Sequence, residues 1–139
     1  MSMLQFHSLN NLAILASAII LWVLGAIWYS PPLFAKPWME LAGVKREPGK
    51  RDGLLLAMTG SFIGDLVLSF ILAMIIMWSN ATGFKLGGVI GVLVWMAFFA
   101  APNVPQGLYE KKPFKLFAIN GLYWLIGLFV VGGLLATWR

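Results

Sequence analysis

The chain has 139 residues, of which 60% are hydrophobic and only 11% are charged. A water-soluble domain carries about 25% charged residues, so this composition excludes a chain that covers its surface with water-facing side chains. The absence of cysteine excludes disulfides, thiolate metal sites and lipidation at cysteine. The single histidine, His7, has no partners with which to hold zinc or haem, so we expect no metal and no cofactor.

Four apolar stretches have about the length of a membrane-spanning helix. The hydrocarbon core of a bilayer takes about 20 apolar residues in helical form, and residues 9–29, 54–78, 86–101 and 116–138 approach that length. Together they use most of the chain. We therefore predict an all-α integral membrane four-helix bundle, with residues 1–139 forming a single transmembrane domain.

The first stretch contains the triplet Ala16-Ser17-Ala18, which is typical of a signal-peptidase site. A signal peptide, however, has a basic start and a short apolar core. No Lys or Arg precedes this stretch, and its apolar run continues well beyond the triplet. We therefore predict that it is a membrane span.

A short amphipathic segment follows the first span. A pair of prolines stops the span, because proline lacks the N–H that a helix needs. Phe34 and Trp38 then recur at helical spacing, and Gly43 is a suitable C-terminal cap. We predict a short interfacial helix that lies on the membrane, followed by a charged turn over residues 45–52.

The third span contains two prolines near its end. Its apolar run, residues 86–101, would be about 24 Å long as a helix. Continuing to residue 106 would include Pro102 and Pro105, and Pro102 would leave the carbonyl of Phe98 without its usual helical donor. We predict that the span ends or bends sharply at Pro102, the alternative being a broken helix that reaches residue 106.

The basic residues predict how the chain is oriented. Eight of the ten lie between spans one and two or between spans three and four: Lys36, Lys45, Arg46, Lys50, Arg51, Lys111, Lys112 and Lys115. Lys85 and Arg139 lie on the other side. The positive-inside rule places both basic loops in the cytoplasm and both termini outside. We interpret the net charge of +5 as a topology signal that suits anionic lipid at the cytoplasmic face, with no nucleic-acid partner.

Two pairs of glycines are spaced for close contact between helices. Gly60 and Gly64 lie in the second span, and Gly87 and Gly91 lie in the third. A small residue at every fourth position lets two helix backbones approach each other in lipid. Both pairs are therefore candidates for helix–helix contacts.

Asp65 is the acidic residue inside a span. At the helical rise it lies about 18 Å from the cytoplasmic end of the second span, near the bilayer midplane. A charged carboxylate costs about 2.5–3.5 kcal/mol there, and no span contains a Lys, Arg or His to pair with it. Asp65 must therefore be protonated, bind a cation or ligand, or pair with another protein.

The neighbours of Asp65 suggest a polar stripe. Ser61, Asp65 and Ser69 recur every four residues and line one helix face, which we expect to point toward the bundle interior or a subunit interface and away from lipid. On the fourth span, Asn120 and Tyr123 share a face and could meet this stripe. These five residues are the candidate ligand- or ion-binding residues, and none is predicted to be catalytic. The structural alternative is a neutral Asp65 hydrogen-bonded to a neighbouring helix.

Two motifs resemble a known family. Residues 25–38 read GAIWYSPPLFAKPW and residues 109–121 read YEKKPFKLFAING, with Trp138 near the end. They are similar to the small, mainly bacterial four-span proteins of the domain of unknown function seventeen-sixty-one family. The resemblance implies a bacterial inner membrane and four helices. It implies no activity and no site residues.

Two kinds of function remain open. The first is binding or transport of a proton, cation or small solute centred on Asp65, which in so small a bundle would need a homo-oligomer. The second is an accessory or assembly subunit that docks another membrane protein. We do not expect an enzyme, because the cytoplasmic acids lack catalytic spacing and no P-loop, dinucleotide fingerprint or nucleophile elbow is present.

Overall fold

The computed structural model describes residues 9–43 and 53–138, which form helices and short connections without any strand. The helices are α1 (Asn11–Trp28), α2 (Ala35–Ala42), α3 (Leu54–Ser79), α4 (Phe84–Trp95), α5 (Ala101–Tyr109) and α6 (Phe114–Thr137). A π-helical segment, Met96–Ala100, joins α4 to α5. Four helices are long and apolar enough to cross a membrane: α1, α3, the continuous helix Phe84–Tyr109, and α6. The prediction of an all-α four-span protein is confirmed.

Several sequence predictions fall outside the described residues. They concern His7, the charged turn over residues 45–52 with its four basic residues, and Arg139. The five basic residues that the structure does describe can be placed. Lys36, Lys111, Lys112 and Lys115 lie at one end of the bundle, here called the basic end, and Lys85 lies at the opposite end.

Helix α6 is the centre of the bundle. It packs against α4 most extensively, and it also contacts α1 and α3, which pack against each other. The largest side chains that are wholly buried come from three helices: Leu21, Leu72, Ile76 and Val131. The core therefore lies where α1, α3 and α6 meet, and α4 covers the other side of α6.

Glycine makes the contact between α4 and α6 possible. A Cβ atom added at Gly87 would collide with the backbone oxygen of Gly132, and one added at Gly91 would collide with that of Leu128. The two helix backbones are therefore in direct contact, as the spacing of Gly87 and Gly91 allowed. The other pair, Gly60 and Gly64, has nothing within 4 Å of the corresponding positions.

The short helix predicted after the first span is present, together with its glycine cap. The short helix α2 begins at Ala35, and Gly43 follows its end in the left-handed conformation with φ of 72°. A left-handed residue after a helix is usually glycine because it carries no Cβ. Trp28 packs on Phe34, with ring centroids 4.8 Å apart, and α2 contacts α6. These contacts hold α2 against the basic end.

The predicted end of the third span at Pro102 is wrong. The helix continues through Pro102 and Pro105 to Tyr109. A π turn lies just before the prolines, and in it the N–H of Ala101 donates to Met96 O, five residues back. The side chain of Asn103 donates to Phe99 O at 2.8 Å. Helices tolerate proline in a membrane where local π adjustments and side chains serve the carbonyls that proline disturbs, so this span reaches full length.

Candidate functional site

Asp65 lies near the middle of α3 and faces the interior of the bundle. Its residue surface is only 5% exposed. No hydrogen bond or ion pair joins its carboxyl group to any residue that the structure describes. Helix α3 itself contacts α1 and α6. Asp65 is therefore a buried acid without a protein partner in the described part of the chain, at the depth where a charge is most costly.

Two serine hydroxyls share this condition. Ser69 on α3 and Ser17 on α1 are both 0% exposed, and neither hydroxyl oxygen has a hydrogen-bond partner. Ser69 lies one helical turn from Asp65 on the same face. A buried hydroxyl without a partner costs about 1–3 kcal/mol, so such groups in a native protein call for an explanation.

Ser17 and Ser69 lie at nearly the same depth. The rings of Trp22 and Phe62 are 5.8 Å apart, and the indole N–H of Trp22 donates to Met58 O at 3.1 Å, so α1 and α3 are antiparallel neighbours there. Ser17 precedes Trp22 by five residues on α1, and residue 67 follows Phe62 by five residues on α3. Because the two helices are antiparallel, Ser17 lies level with residue 67. That position is two residues, or about 3 Å along the axis, from Ser69.

Sequence reasoning missed Ser17. It treated this residue only as part of a triplet typical of a cleavage site. A signal was nevertheless present, because Ala13, Ser17 and Leu21 recur at helical spacing, and all three prove to be wholly buried. What the spacing could not show was that this face of α1 points toward the interior with Asp65 and Ser69.

Tyr123 of α6 is the predicted residue that approaches Asp65 from another helix. It is buried, and its hydroxyl donates to Leu21 O on α1 at 2.8 Å. Asp65 is close enough to act electrostatically on the Tyr123 hydroxyl. Tyr123 therefore ties α6 to α1 beside the acid, and its donor is already engaged.

Asn120 lies one turn closer to the basic end and has a different partner. Its side-chain oxygen accepts a hydrogen bond from the hydroxyl of Tyr29 at 2.6 Å. The ring of Tyr29 also packs edge-on against those of Tyr123 and Trp38, at 5.7 Å and 5.4 Å. Nearby, the indole N–H of Trp28 donates to Ile119 O at 2.9 Å. Asn120 thus belongs to an aromatic layer that closes the basic end of the α1–α6 contact.

Ser61 does not face the interior of this bundle, so a subunit interface is the expected environment that remains for it. Ser61 is exposed, although Asp65 and Ser69 on the same stripe are buried. The physical reason is that little packs on the basic half of α3, where Leu55 and Leu56 are each 79% exposed and Trp22 provides the contact with α1. Asp65 therefore lies where the stripe passes from an open surface into the core.

The opposite end of the same face is closed. Beyond Ser69 toward the opposite end, Leu72 and Ile76 on α3 are almost completely buried. They pack in a cluster with Ile14 of α1 and Leu135 of α6. The apolar cluster therefore lies between Asp65 and the opposite end of the bundle. The exposed Ser61 lies between Asp65 and the basic end.

The chemistry available at this centre is that of oxygen ligands. A carboxylate and hydroxyls suit a proton, a hard cation or a hydrogen-bonding solute. Within residues 9–43 and 53–138, no three His, Asp or Glu side chains form a group that could hold a metal ion. Asn103 and Gln106 line a separate cavity between α5 and α6.

Comparison with known families now adds to the geometry. The family described as "Protein of unknown function (DUF1761)" matches residues 12–136, which is nearly the whole chain. The chain belongs to this family. The match includes all four spans together with Asp65, Ser17 and Ser69, so the polar centre lies within the region that defines the family. No curated protein matches the chain. No solved structure matches it either.

Proposed function

We propose that this DUF1761 protein binds a proton, a monovalent cation or a small polar solute at Asp65 inside the membrane, and that this binding serves transport. The observation that carries the proposal is a buried carboxyl group with no partner among the described residues. In the membrane interior an ionisable group in that position is, by default, a functional site.

The two serines support the same proposal. Their hydroxyls are buried without partners, and they lie at the depth of the acid on facing helices. A bound cation, solute or proton-carrying species would supply the hydrogen-bond or coordination partners that these two hydroxyl oxygens lack among the described residues. We propose Ser17 and Ser69 as ligands together with Asp65, and we propose that Tyr123 positions α6 beside them.

The difference between the two ends supports access from the basic end. Ser61 is exposed one turn from Asp65 on that side, whereas Leu72 and Ile76 close the other side. A transport site that alternates between two sides is expected to be open to one of them at a time. We propose that an ion or solute reaches Asp65 from the basic end.

The test compares wild type, Asp65→Asn and Asp65→Leu in detergent. Thermal stability is measured from about pH 5 to about pH 9, with and without monovalent and divalent cations. We expect wild type to respond to pH or to one cation and Asp65→Asn to lose that response while it still folds. Asp65→Leu should in addition lose about 1–2 kcal/mol of stability. The proposal is overturned if the stability of wild type does not respond to pH or to any cation. It is also overturned if Asp65→Asn keeps the response of wild type.

Matched serine variants locate the response. Ser69→Ala and Ser61→Ala each remove one hydroxyl one turn from Asp65, and only the first hydroxyl is buried. We expect Ser69→Ala and Ser17→Ala to weaken the ion or proton response and Ser61→Ala to leave it unchanged. Equal effects at Ser61 and Ser69 would contradict the proposed ligand set.

For location, we propose a bacterial inner membrane with the basic end in the cytoplasm and both termini outside, following the charge asymmetry. The chain has no cysteine, so single cysteines report the topology directly. Thr82→Cys and Lys112→Cys lie on exposed connections at opposite ends. An impermeant maleimide on intact cells should label the first variant and spare the second. Labelling of the second variant and not of the first would show the opposite orientation.

The alternative function is an accessory or assembly subunit. The observation that favours it is the exposed basic half of α3, where Thr59, Gly60, Ser61 and Gly64 present small and polar groups to the surroundings. Polar and small residues are enriched where membrane helices meet. Purification in mild detergent separates the readings. A homo-oligomer supports the transport proposal, and stoichiometric association with a different membrane protein supports the subunit proposal.

A further inference from the structure

A second site lies at the basic end, between α5 and the start of α6. A cavity of about 200 Å³ opens there. Phe99, Val104, Leu116 and Phe117 form apolar walls. None of the candidate residues at the Asp65 centre takes part in these walls except Asn120, which borders the cavity from α6.

The rim of this cavity is polar, and the connection beside it and the start of α6 carry more basic than acidic residues. Lys112 and Glu110 are at the rim, 2.9 Å apart as an ion pair, and Gln106 donates to Glu110 at 3.0 Å. Glu110 is therefore already engaged twice. Lys111 and Lys115 flank the rim without an acid of their own in the described connection. Their charges remain available to an anion.

The cavity lies at the level of the membrane surface. It is placed where the third span ends and the fourth begins. Tyr109 is 90% exposed and Phe114 is 76% exposed beside it, and aromatic side chains of this kind lie at the boundary between lipid and water. Leu108, at 75% exposure, continues the apolar surface of the cavity toward the lipid.

The local helix geometry builds the wall of this cavity. The π turn Met96–Ala100 includes Phe99, and Asn103 donates to Phe99 O at 2.8 Å. This hydrogen bond uses the side-chain N–H₂ of Asn103 and leaves its oxygen free at the rim. Single π turns in helices are frequent at functional sites. Gly107 also lines the cavity, and a side chain added there would meet open space.

We propose that this cavity binds one anionic phospholipid, with its phosphate beside Lys111 and Lys115 and the upper part of an acyl chain packed against Phe99 and Phe117. An apolar wall that continues into lipid-facing surface favours a lipid over a water-soluble anion. The basic residues beside the rim favour an anionic headgroup over a zwitterionic one, since basic clusters at the membrane surface attract anionic lipid. This site is independent of Asp65.

The experiment is native mass spectrometry of the purified full chain with an equal mixture of phosphatidylglycerol and phosphatidylcholine. Wild type should retain one phosphatidylglycerol in preference to phosphatidylcholine. Gly107→Leu fills the cavity and should abolish this preference. Gly60→Leu is the matched control, because Gly60 also lies in a helix with open space at its Cβ position. The control should bind phosphatidylglycerol like wild type.

A second pair of variants tests the charge without filling the cavity. Lys111→Gln combined with Lys115→Gln should lower the preference for phosphatidylglycerol at least about fivefold, since each basic residue near an anionic lipid contributes a factor of about five. Lys85→Gln at the opposite end is the control and should have no effect. This pair keeps the proposal testable if Gly107→Leu proves unstable.

Three outcomes would overturn the proposal. The first is equal retention of the two lipids by wild type. The second is unchanged preference in both Gly107→Leu and the double lysine variant. The third is displacement of the lipid by excess inorganic phosphate, which would make the rim a site for free phosphate. A result at Asp65 in either direction leaves all three readouts unaffected.

Discussion

Two pairs of glycines with the same spacing lie in opposite environments in this bundle. Gly87 and Gly91 on α4 are buried against the backbone of α6, where no additional atom fits. Gly60 and Gly64 on α3 have open space around them. The spacing is the same in both helices, so it does not distinguish a contact from an open surface. It shows only that a close approach is possible.

The difference comes from what lies opposite each pair. α6 presents Gly132 to Gly87, so two helices with small residues meet at the same level. On the basic half of α3, the described contact is made by the large side chain of Trp22, which reaches the Met58 carbonyl from α1. Gly60 and Gly64 lie on the other side of α3 from this contact, and no atom lies within 4 Å of their Cβ positions. Close packing therefore requires that small residues on one helix face the backbone of another.

The largest expected effect breaks the α4–α6 contact. In Gly91→Ala, the new methyl group would collide with the Leu128 carbonyl, so the helices must separate. We expect a loss of about 3 kcal/mol, measured by denaturant unfolding in detergent. Gly64→Ala is the matched control and should cost nothing. A loss below about 1 kcal/mol at Gly91 would mean that α4 moves freely on α6.

A smaller effect is expected for the contact between α6 and α1. Tyr123→Phe removes the hydrogen bond to Leu21 O and leaves a buried carbonyl without that donor. We expect a loss of about 1 kcal/mol in unfolding free energy. Tyr109→Phe is the control, because Tyr109 is 90% exposed, and should change stability little. Equal effects in the two variants would show that the Tyr123 hydrogen bond contributes nothing.

Gly60→Ala sharpens the comparison because it should act in the opposite direction. Its Cβ would meet no atom, and alanine is the better helix former, so we expect a gain of about 0.5–1 kcal/mol in the monomer. If a second copy covers this face in the membrane, the same change should instead weaken the oligomer. Unfolding in detergent and crosslinking in membranes, applied to the same variant, distinguish the two cases.

The smallest effect concerns the rim beside α5. Hydrogen bonds from Gln106 and Lys112, with the charge of Lys112, lower the pKa of Glu110 below its ordinary value of 4.5. A lowered folded-state pKa stabilises the fold above that ordinary value, and the contribution disappears as the pH falls through the folded-state pKa. Wild type should therefore exceed Glu110→Gln slightly near neutral pH and lose this advantage in acid. Because the pair is exposed, the difference is small. An advantage that grows toward acid pH would contradict the assignment.

The sequence was sufficient to predict the spans and to identify Asp65 as an acidic residue inside one of them. Apolar length and the scarcity of charge determine helices that cross a membrane, since an unpaired backbone is not tolerated in lipid. The third span shows where this reasoning stopped. Pro102 predicted an end, but the helix continues through it after a π turn. The prediction considered only the missing N–H of proline. It did not consider that the preceding turn of the helix can rearrange.

Some features of the polar centre could likewise be predicted from the sequence, and others depended on the tertiary structure. Helical periodicity by itself determined that Ser61, Asp65 and Ser69 share a face, because that relation depends only on the rise and turn of one helix. Which members of the face are buried was decided by α1 and α6, which cover Asp65 and Ser69 and leave Ser61 exposed. The position of Ser17 in the polar centre was likewise decided by tertiary structure, through the antiparallel packing of α1 on α3. Composition determines what must lie in the membrane, whereas the side chains that meet there depend on contacts between residues far apart in the chain.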